Sequence, residues 1–326
     1  MEYTTLGRTG LKVSVAGLGC GGFSQLGLGT GRDEGHAIGI IRAALDLGVN
    51  LFDTAAAYGT EPVLGRALRG VPRNDVVVCT KAPFGVSHPN STPETAVASL
   101  DRSLKELGTD YIDVYQLHGV APRGYDHALQ VLAPALLREK EKGKFRHLGI
   151  TETAPGDPEH EMAQWACEDG VWDTLMIAFH MMNQNARTSV LPRTRQHQIG
   201  TLMMFAVRNI FSRPERLAAT LRALALDGLV PDALADSSDP LGFLVHEGGA
   251  SSVIDAAYRF VRHEPGADVV LFGTGDLAHL RSNIASILKP PLPEADRARI
   301  ASLFGHLVGV GLDAPHLSAS GRVARR

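Results

Sequence analysis

Apolar runs of strand length recur along the chain, and each is followed by a stretch whose apolar residues have helical spacing. The runs are VSVAGLGCG (13–21), NLFDT (50–54), DVVVCTK (75–81), YIDVYQLH (111–118), FRHLGIT (145–151), TLMIAFH (174–180), GTLMMFAV (200–207) and DVVLFGTG (268–275). Most are nearly continuous in hydrophobicity, as strands of a parallel sheet covered on both faces must be. Between them, DEGHAIGIIRAALDLG (33–48) places Ile38, Ile41, Ala44 and Leu45 on one helical face, with Gly48 suited to the stop. In STPETAVASLDRSLKELG (91–108), Thr92 is the expected N-cap and Pro93 the first helical residue. Eight strand–helix units in a chain of this length predict an α/β protein, a closed (β/α)8 TIM barrel. An open doubly wound sheet would carry G-x-G-x-x-G after its first strand. GLGCGG (17–22) has the wrong spacing, and no helix starts directly after it.

Residues 208–249, following the seventh strand, are too long for an ordinary connection and carry short helical patches broken by Pro231 and Pro240. A long loop insertion at this point is expected to act as a substrate lid. The expected organisation is a single barrel domain over 1–310 and a flexible tail over 311–326, ending in SASGRVARR.

Composition narrows the function. The 326 residues are 44% hydrophobic and 21% charged, enough to bury a large core, and the formal charge of −3 argues against a protein that grips nucleic-acid backbones. Cys20, Cys79 and Cys167 have no metal-ligand spacing, so no metal site is expected and a reducing cytoplasm is the natural reading. No export signal and no apolar membrane span are expected.

In a barrel of this kind chemistry sits at the C-terminal ends of the strands. Asp53 ends the second strand, Tyr58 follows it, Lys81 ends the third and His118 the fourth. A phenol titrates near pH 10 and is by itself a poor acid at neutral pH; a nearby ammonium lowers that value, and a carboxylate keeps the ammonium charged in a dry site. Asp53 is therefore expected to orient Lys81, Lys81 to lower the pKa of Tyr58, and a neutral His118 to direct a substrate carbonyl. The set describes a proton donor for an oxygen that gains charge while hydride reaches carbon.

FDTAAAYG (52–59), TKAPFG (80–85), YIDVYQLHG (111–119), GKFRHLGIT (143–151) and FGTGDLAHLRSNI (272–284) together resemble the landmarks of the aldo-keto reductase superfamily, in their order and over about residues 1–310. The resemblance implies a (β/α)8 carbonyl reductase that uses a nicotinamide dinucleotide, with Asp53, Tyr58, Lys81 and His118 as its tetrad. Thr151 and Glu152 stand where relatives hold the carboxamide of the nicotinamide. Met176 replaces a glutamine, Phe179-His180 replaces a frequent Tyr-Asn, and the stacking aromatic falls at Met204 or Phe205. Gly273, Thr274 and Gly275 would offer backbone N–H groups and a helix start to an anion. Asn283 matches an adenine contact. Gly273 and His279 stand where relatives that prefer NADP(H) carry lysine and arginine, leaving Arg281 as a substitute on another helix face.

The resulting expectation is a cytoplasmic NAD(P)H-dependent reductase of a small aldehyde, ketone or sugar, or dehydrogenase of the alcohol. NADP(H) is the default cofactor and NAD(H) the other candidate. The substrate pocket would draw on Phe23, Gln25 and Phe84. The competing expectation is a barrel that keeps the cofactor as a redox-sensing or partner-binding module with little turnover.

Overall fold

The structure, a computed structural model, describes residues 1–84 and 91–313. An antiparallel hairpin, β1 (Tyr3–Thr5) and β2 (Lys12–Ser14), opens the chain. Eight strands follow: β3 (Ala16–Gly19), β4 (Leu51–Asp53), β5 (Val77–Pro83), β6 (Ile112–Val120), β7 (Phe145–Glu152), β8 (Thr174–Ala178), β9 (Gly200–Met204) and β10 (Val269–Phe272). They pair in parallel and in chain order, and β10 closes the barrel by pairing with both β9 and β3. Each of the eight apolar runs forms one of these strands.

Alternation along each strand divides its side chains between two compartments. Leu51, Val77, Val114, Met176, Leu202 and Val269 form the barrel interior, and Leu6 and Val13 from the hairpin region join them. Phe52, Val78, Tyr115, Ile150, Leu175 and Ile177 belong to the larger core shared with the surrounding helices. Both compartments are dry, which is why the strands read as continuous apolar runs. Each fully buried aliphatic side chain contributes about 1.5–3 kcal/mol.

The helix Glu34–Asp46 starts where Asp33 accepts from the His36 N–H at 2.8 Å. Its buried face is Ala37, Ile40, Ile41 and Ala44, while Ile38 and Leu45 are only partly buried. The buried face keeps Ile41 and Ala44 of the expected set and takes Ala37 and Ile40 in place of Ile38 and Leu45, one step around the helix. The helix Pro93–Leu107 begins as expected: Thr92 Oγ1 accepts from the Thr95 N–H at 3.3 Å, and Thr95 Oγ1 accepts from the Thr92 N–H at 2.8 Å.

The segment 208–249 carries the expected helical pieces separated at Pro231 and Pro240, one of them longer than a short patch. Asn209–Ser212, Pro214–Leu226 and Asp232–Ala235 are α-helical, and the middle helix buries Leu217, Leu221 and Leu224. Three leucines on one face outweigh the prolines, which fall at helix starts or between helices. The segment leads into the helix Val253–Arg262; the helices Leu277–Ile287 and Glu294–Phe304 follow β10. Most of the expected tail, 314–326, lies outside the described residues. Among the described residues, no helix is long and apolar enough to cross a membrane, and no group of three or more His, Cys, Asp or Glu could hold a metal ion.

Candidate active site

The inward alternation that sends Leu51, Cys79 and Val114 into the barrel also sends Asp53, Lys81, Gln116 and His118 to its mouth, two or four residues further along β4, β5 and β6. Register sets Asp53 opposite Cys79 and Lys81 opposite Gln116. Lys81 Nζ donates to Asp53 Oδ1 and Oδ2 and to the Thr54 carbonyl, each at 2.7 Å, which satisfies all three ammonium protons. Gln116 Nε2 donates to Asp53 Oδ1 at 3.4 Å. Burial pulls the Lys81 pKa down, but the Asp53 carboxylate, the Tyr58 phenol and the hydrogen bonds to Asp53 outweigh it, and the net direction is up.

Tyr58 ends the short 3-10 turn Ala56–Tyr58, and Gly59 leaves it at φ +70°. The phenol oxygen is 3.3 Å from His118 Nε2, and the two rings meet edge-on at 5.4 Å. Lys81 Nζ is 5.2 Å from the centroid of the Tyr58 ring. A methyl group on Gly21 would collide with that ring, so the glycine after β3 makes room for the phenol. Burial pushes the Tyr58 pKa up and Lys81 pulls it down, with burial the larger effect, so the net direction is up. This corrects the expectation of a phenol lowered below its ordinary value: Lys81 acts in the expected sense, but burial outweighs it, with the Asp53 carboxylate adding to the upward direction. The phenol stays protonated at neutral pH, the state a proton donor needs.

Above these groups a cavity of about 1,700 Å³ spans the C-terminal ends of the strands. Its wall includes Asp53, Tyr58 and His118, the aromatics Phe23, Phe84 and Phe205, Thr151 and Glu152, and Gly273, Thr274, His279 and Asn283. Lys81 is completely buried beneath it. Gly275 is not part of the wall: a methyl group there would strike the Gly27 backbone, and its carbonyl lies 2.6 Å from His36 Nε2. Its hydrogen is needed for packing of the β10 loop against the β3 loop. Of the 208–249 segment, the wall takes Arg208, Asn209, Phe211 and Ser212, with Pro214.

At the end of β7, Thr151 Oγ1 accepts from the Gly119 N–H at 2.8 Å. Glu152 is buried, with Oε1 accepting from the Ala178 N–H and Oε2 facing His160 Nδ1, both at 2.7 Å. His160 Nε2 lies 3.0 Å from Asn185 Oδ1, and Asn185 Nδ2 donates to the Pro158 carbonyl at 2.7 Å. That last bond orients the amide so that both ring nitrogens of His160 meet acceptors, the pattern of an imidazolium. Burial pulls the His160 pKa down, but the Glu152 carboxylate and the hydrogen bonds outweigh it and hold it above the usual histidine value. Met176, on β8 opposite Thr151, lines the cavity and brings no amide.

The other side of the mouth, over β9, β10 and β3, has a different character. Phe205 sits at φ +70°, a strained setting for a bulky residue. The Arg208 guanidinium lies 4.0 Å from the Phe205 centroid and 5.2 Å from that of Phe23. His180 is completely buried behind Phe211, and burial together with the Arg208 charge lowers its pKa to about 3, so it is neutral. At the helix Leu277–Ile287, Asp276 Oδ1 accepts from the Ala278 and His279 N–H groups at 2.8 and 2.9 Å. The helix start expected to face an anion therefore already carries a carboxylate. Arg281 is exposed and is not part of the cavity wall.

Sequence reasoning singled out neither Gln116, His160 and Arg208 nor the capping role of Asp276. Gln116 was legible, since it shares the alternation of Val114 and His118. The other three depend on partners remote along the chain.

A sequence model described as the Aldo/keto reductase family matches residues 17–304. Over 157 residues the chain is 38% identical to L-galactose dehydrogenase of Arabidopsis thaliana, covering 46% of this chain and 48% of that one, so it spans about half the length of that relative. Over 291 residues it is 28% identical to aldo-keto reductase YhdN of Bacillus subtilis (strain 168), covering 84% of this chain and 85% of that one. Among solved structures, aldo-keto reductase AKR11C1 from Bacillus halodurans in its holo form shares the fold with a TM-score of 0.69, over 98% of this chain and 99% of that one at 21% identity.

Proposed function

Because the chain belongs to the Aldo/keto reductase family, whose members use nicotinamide cofactors, we propose that it interconverts the carbonyl of a small aldehyde, ketone or sugar with the alcohol, using Tyr58 as general acid and base. The observation that carries this reading is the chain of contacts Asp53–Lys81–Tyr58–His118 at the floor of the mouth cavity. The similarity over about half its length to L-galactose dehydrogenase supports keeping sugars among the substrates.

The dinucleotide, when bound, supplies or accepts the hydride at the substrate carbon. In reduction Tyr58 gives its phenol proton to the carbonyl oxygen as charge develops there, and His118, 3.3 Å away, directs that oxygen by a hydrogen bond. Lys81 stabilises the phenolate that remains, and Asp53 with Thr54 keeps Lys81 charged and fixed. In oxidation the phenolate takes the alcohol proton back. Phe23 and Phe84 give the substrate side an apolar wall that keeps water from the developing charge. The barrel of 1–310 serves as one domain, with the start of 208–249 on the substrate side.

The residues fit a dinucleotide in one respect that can be measured here: about 1,700 Å³ exceeds the 300–1,000 Å³ of a pocket for one drug-sized ligand, leaving room for a dinucleotide and a second molecule. We assign its contacts to Thr151, Glu152, Phe205, Gly273, Thr274, His279 and Asn283, with Gly275 shaping the loop. NADP(H) is the proposed carrier, with a weaker preference over NAD(H) than lysine- and arginine-bearing relatives would have. Gly273 and His279 lack the permanent charges that a 2′-phosphate favours, and the Asp276 carboxylate at the same helix start repels it. Free, buried Cys20, Cys79 and Cys167 support a cytoplasmic setting.

The test follows absorbance of the reduced dinucleotide with a panel of aldehydes, ketones and sugars, and of the oxidised form with the alcohols. Turnover on at least one class is expected. Tight dinucleotide binding with no turnover on any class would replace this reading with that of a redox-sensing module.

A further inference from the structure

Arg208 carries a permanent charge in an unusual setting. Its side chain is 9% exposed, and its Nε and Nη2 are buried with no hydrogen-bond acceptor among the described residues. Arg208 forms an ion pair with Asp313, whose oxygen is 3.7 Å from Nε, too far for a hydrogen bond, and Asp313 also accepts from Asn209 Nδ2 at 2.7 Å. Leaving charged donors without a hydrogen bond away from water is costly, and native structures do so where a ligand or ordered water completes the set. The remaining surroundings are aromatic: Phe205 and Phe23 hold the guanidinium plane from two loops but offer no acceptor. The loops come from β9 and β3, which flank β10, so the cation stands across the mouth from Tyr58, Lys81 and His118 on β4 to β6. In barrels of this type the region over the last two strands is where phosphates are bound.

We propose that Arg208 is an anion-binding residue of the mouth cavity, taking a phosphate or carboxylate oxygen through Nε and Nη2. The oxygen comes from the diphosphate of the dinucleotide or from an acidic group on the substrate, and the inference rests on the reductase reading for the identity of both. The planar fork matches either group, and aromatic contact on its faces leaves its edge for the ligand. Phe205 supports the assignment, since its strained φ of +70° persists at the residue whose ring holds the cation.

The experiment uses the full chain and the variants Arg208→Met and Arg208→Lys. Dissociation constants for NADPH and for ADP, which has the diphosphate without the nicotinamide, are measured by calorimetry at low and moderate salt. kcat/KM is measured for a matched pair of carbonyl substrates with and without a carboxylate. With the diphosphate as ligand, Arg208→Met weakens both NADPH and ADP about tenfold or more and flattens their salt dependence, while Arg208→Lys falls between. With an acidic substrate as ligand, dinucleotide binding holds and preference for the acidic member of the pair drops about tenfold. Dinucleotide binding and substrate preference both within twofold of wild type in Arg208→Met would overturn the proposal and leave Arg208 as an aromatic packing partner. Methionine replaces a cation that has only one long ion pair and sits in an aromatic setting, so folding is expected to survive. Should it fail, Arg208→Lys carries the test, and wild-type values there overturn the proposal, because lysine lacks the fork. Wild-type protein that binds NADPH but turns over nothing would sink the reductase reading while leaving this one to be judged by the binding arm.

Discussion

The two halves of the barrel mouth are prepared for ligands in opposite ways. Over β4, β5 and β6 the Lys81 ammonium is saturated by three oxygens at 2.7 Å, and Tyr58 and His118 are within 3.3 Å of one another. Over β9, β10 and β3 a buried guanidinium keeps two nitrogens without a hydrogen-bond acceptor among the described residues, beside a phenylalanine at φ +70°. The proton-transfer side is preorganised without help, which is how electrostatic catalysis avoids reorganisation during the reaction. The opposite side holds a cation whose one ion pair, with Asp313 at 3.7 Å, leaves guanidinium N–H groups without a hydrogen-bond acceptor among the described residues. Substitutions on the first side should therefore act mainly on kcat, and those on the second mainly on binding.

The largest expected effect is that of Tyr58→Phe. It removes the proton donor and nothing on the opposite side, so kcat should fall about 10²–10⁴-fold with the dinucleotide dissociation constant close to wild type. Turnover within a few fold of wild type would place the proton donor elsewhere and dissolve the contrast.

Lys81→Met leaves the buried Asp53 carboxylate without its partner and should destabilise the fold by about 3–5 kcal/mol. The Lys81 pKa is raised on folding, so the stabilisation is fully present below the ordinary lysine value of about 10.4 and is lost only as pH rises through the higher folded value. Urea unfolding should show the gap from wild type persisting up to about pH 9 and narrowing toward acid pH, where the unpartnered Asp53, raised by burial, takes up a proton. Lys81 also pulls the phenol pKa down, so the alkaline limb of the kcat/KM profile for reduction should move to higher pH in the variant. An unmoved limb at reduced amplitude would mean that Lys81 acts on position alone.

His160→Gln probes a pair that lies at the junction of the two halves. The His160 pKa is raised on folding, so its contribution is fully present below the unfolded value of about 6.5 and fades as pH rises through the folded one. The variant should lose about 1–3 kcal/mol at pH 6, and the gap should narrow toward pH 9. A gap independent of pH would show that the ring is neutral.

The smallest change expected is in cofactor choice. His279→Arg adds a permanent cation where His279 and Asn283 line the cavity, and should raise the NADP(H)/NAD(H) ratio of kcat/KM about two- to fivefold, with Asp276 limiting the gain. An unchanged ratio would put the 2′-phosphate away from this helix.

The barrel and its reactive floor were legible in the sequence because eight apolar runs are each followed by a helical stretch and polar residues stand at the ends of three of those runs; the structure adds the two-residue alternation that lines them up. Once Leu51, Cys79 and Val114 are taken as inward, Asp53, Lys81, Gln116 and His118 follow on the same sides of β4, β5 and β6, and strand order makes them neighbours. Local chemistry likewise set the Thr92 cap. Three-dimensional packing alone decided the rest. The direction of the Tyr58 shift is a balance of burial against charges from other strands. The buried face of Glu34–Asp46, with Ala37 and Ile40 in place of Ile38 and Leu45, is set by what packs against it, and the pairing of Glu152 with His160 is supported by an amide oriented by the Pro158 carbonyl. Arg208 is an ordinary surface-type residue by sequence; its aromatic surroundings arise only when the loops after β3 and β9 meet around it. Periodicity tells which side of an element a residue faces, whereas burial and electrostatic balance are sums over neighbours that the chain brings together only on folding.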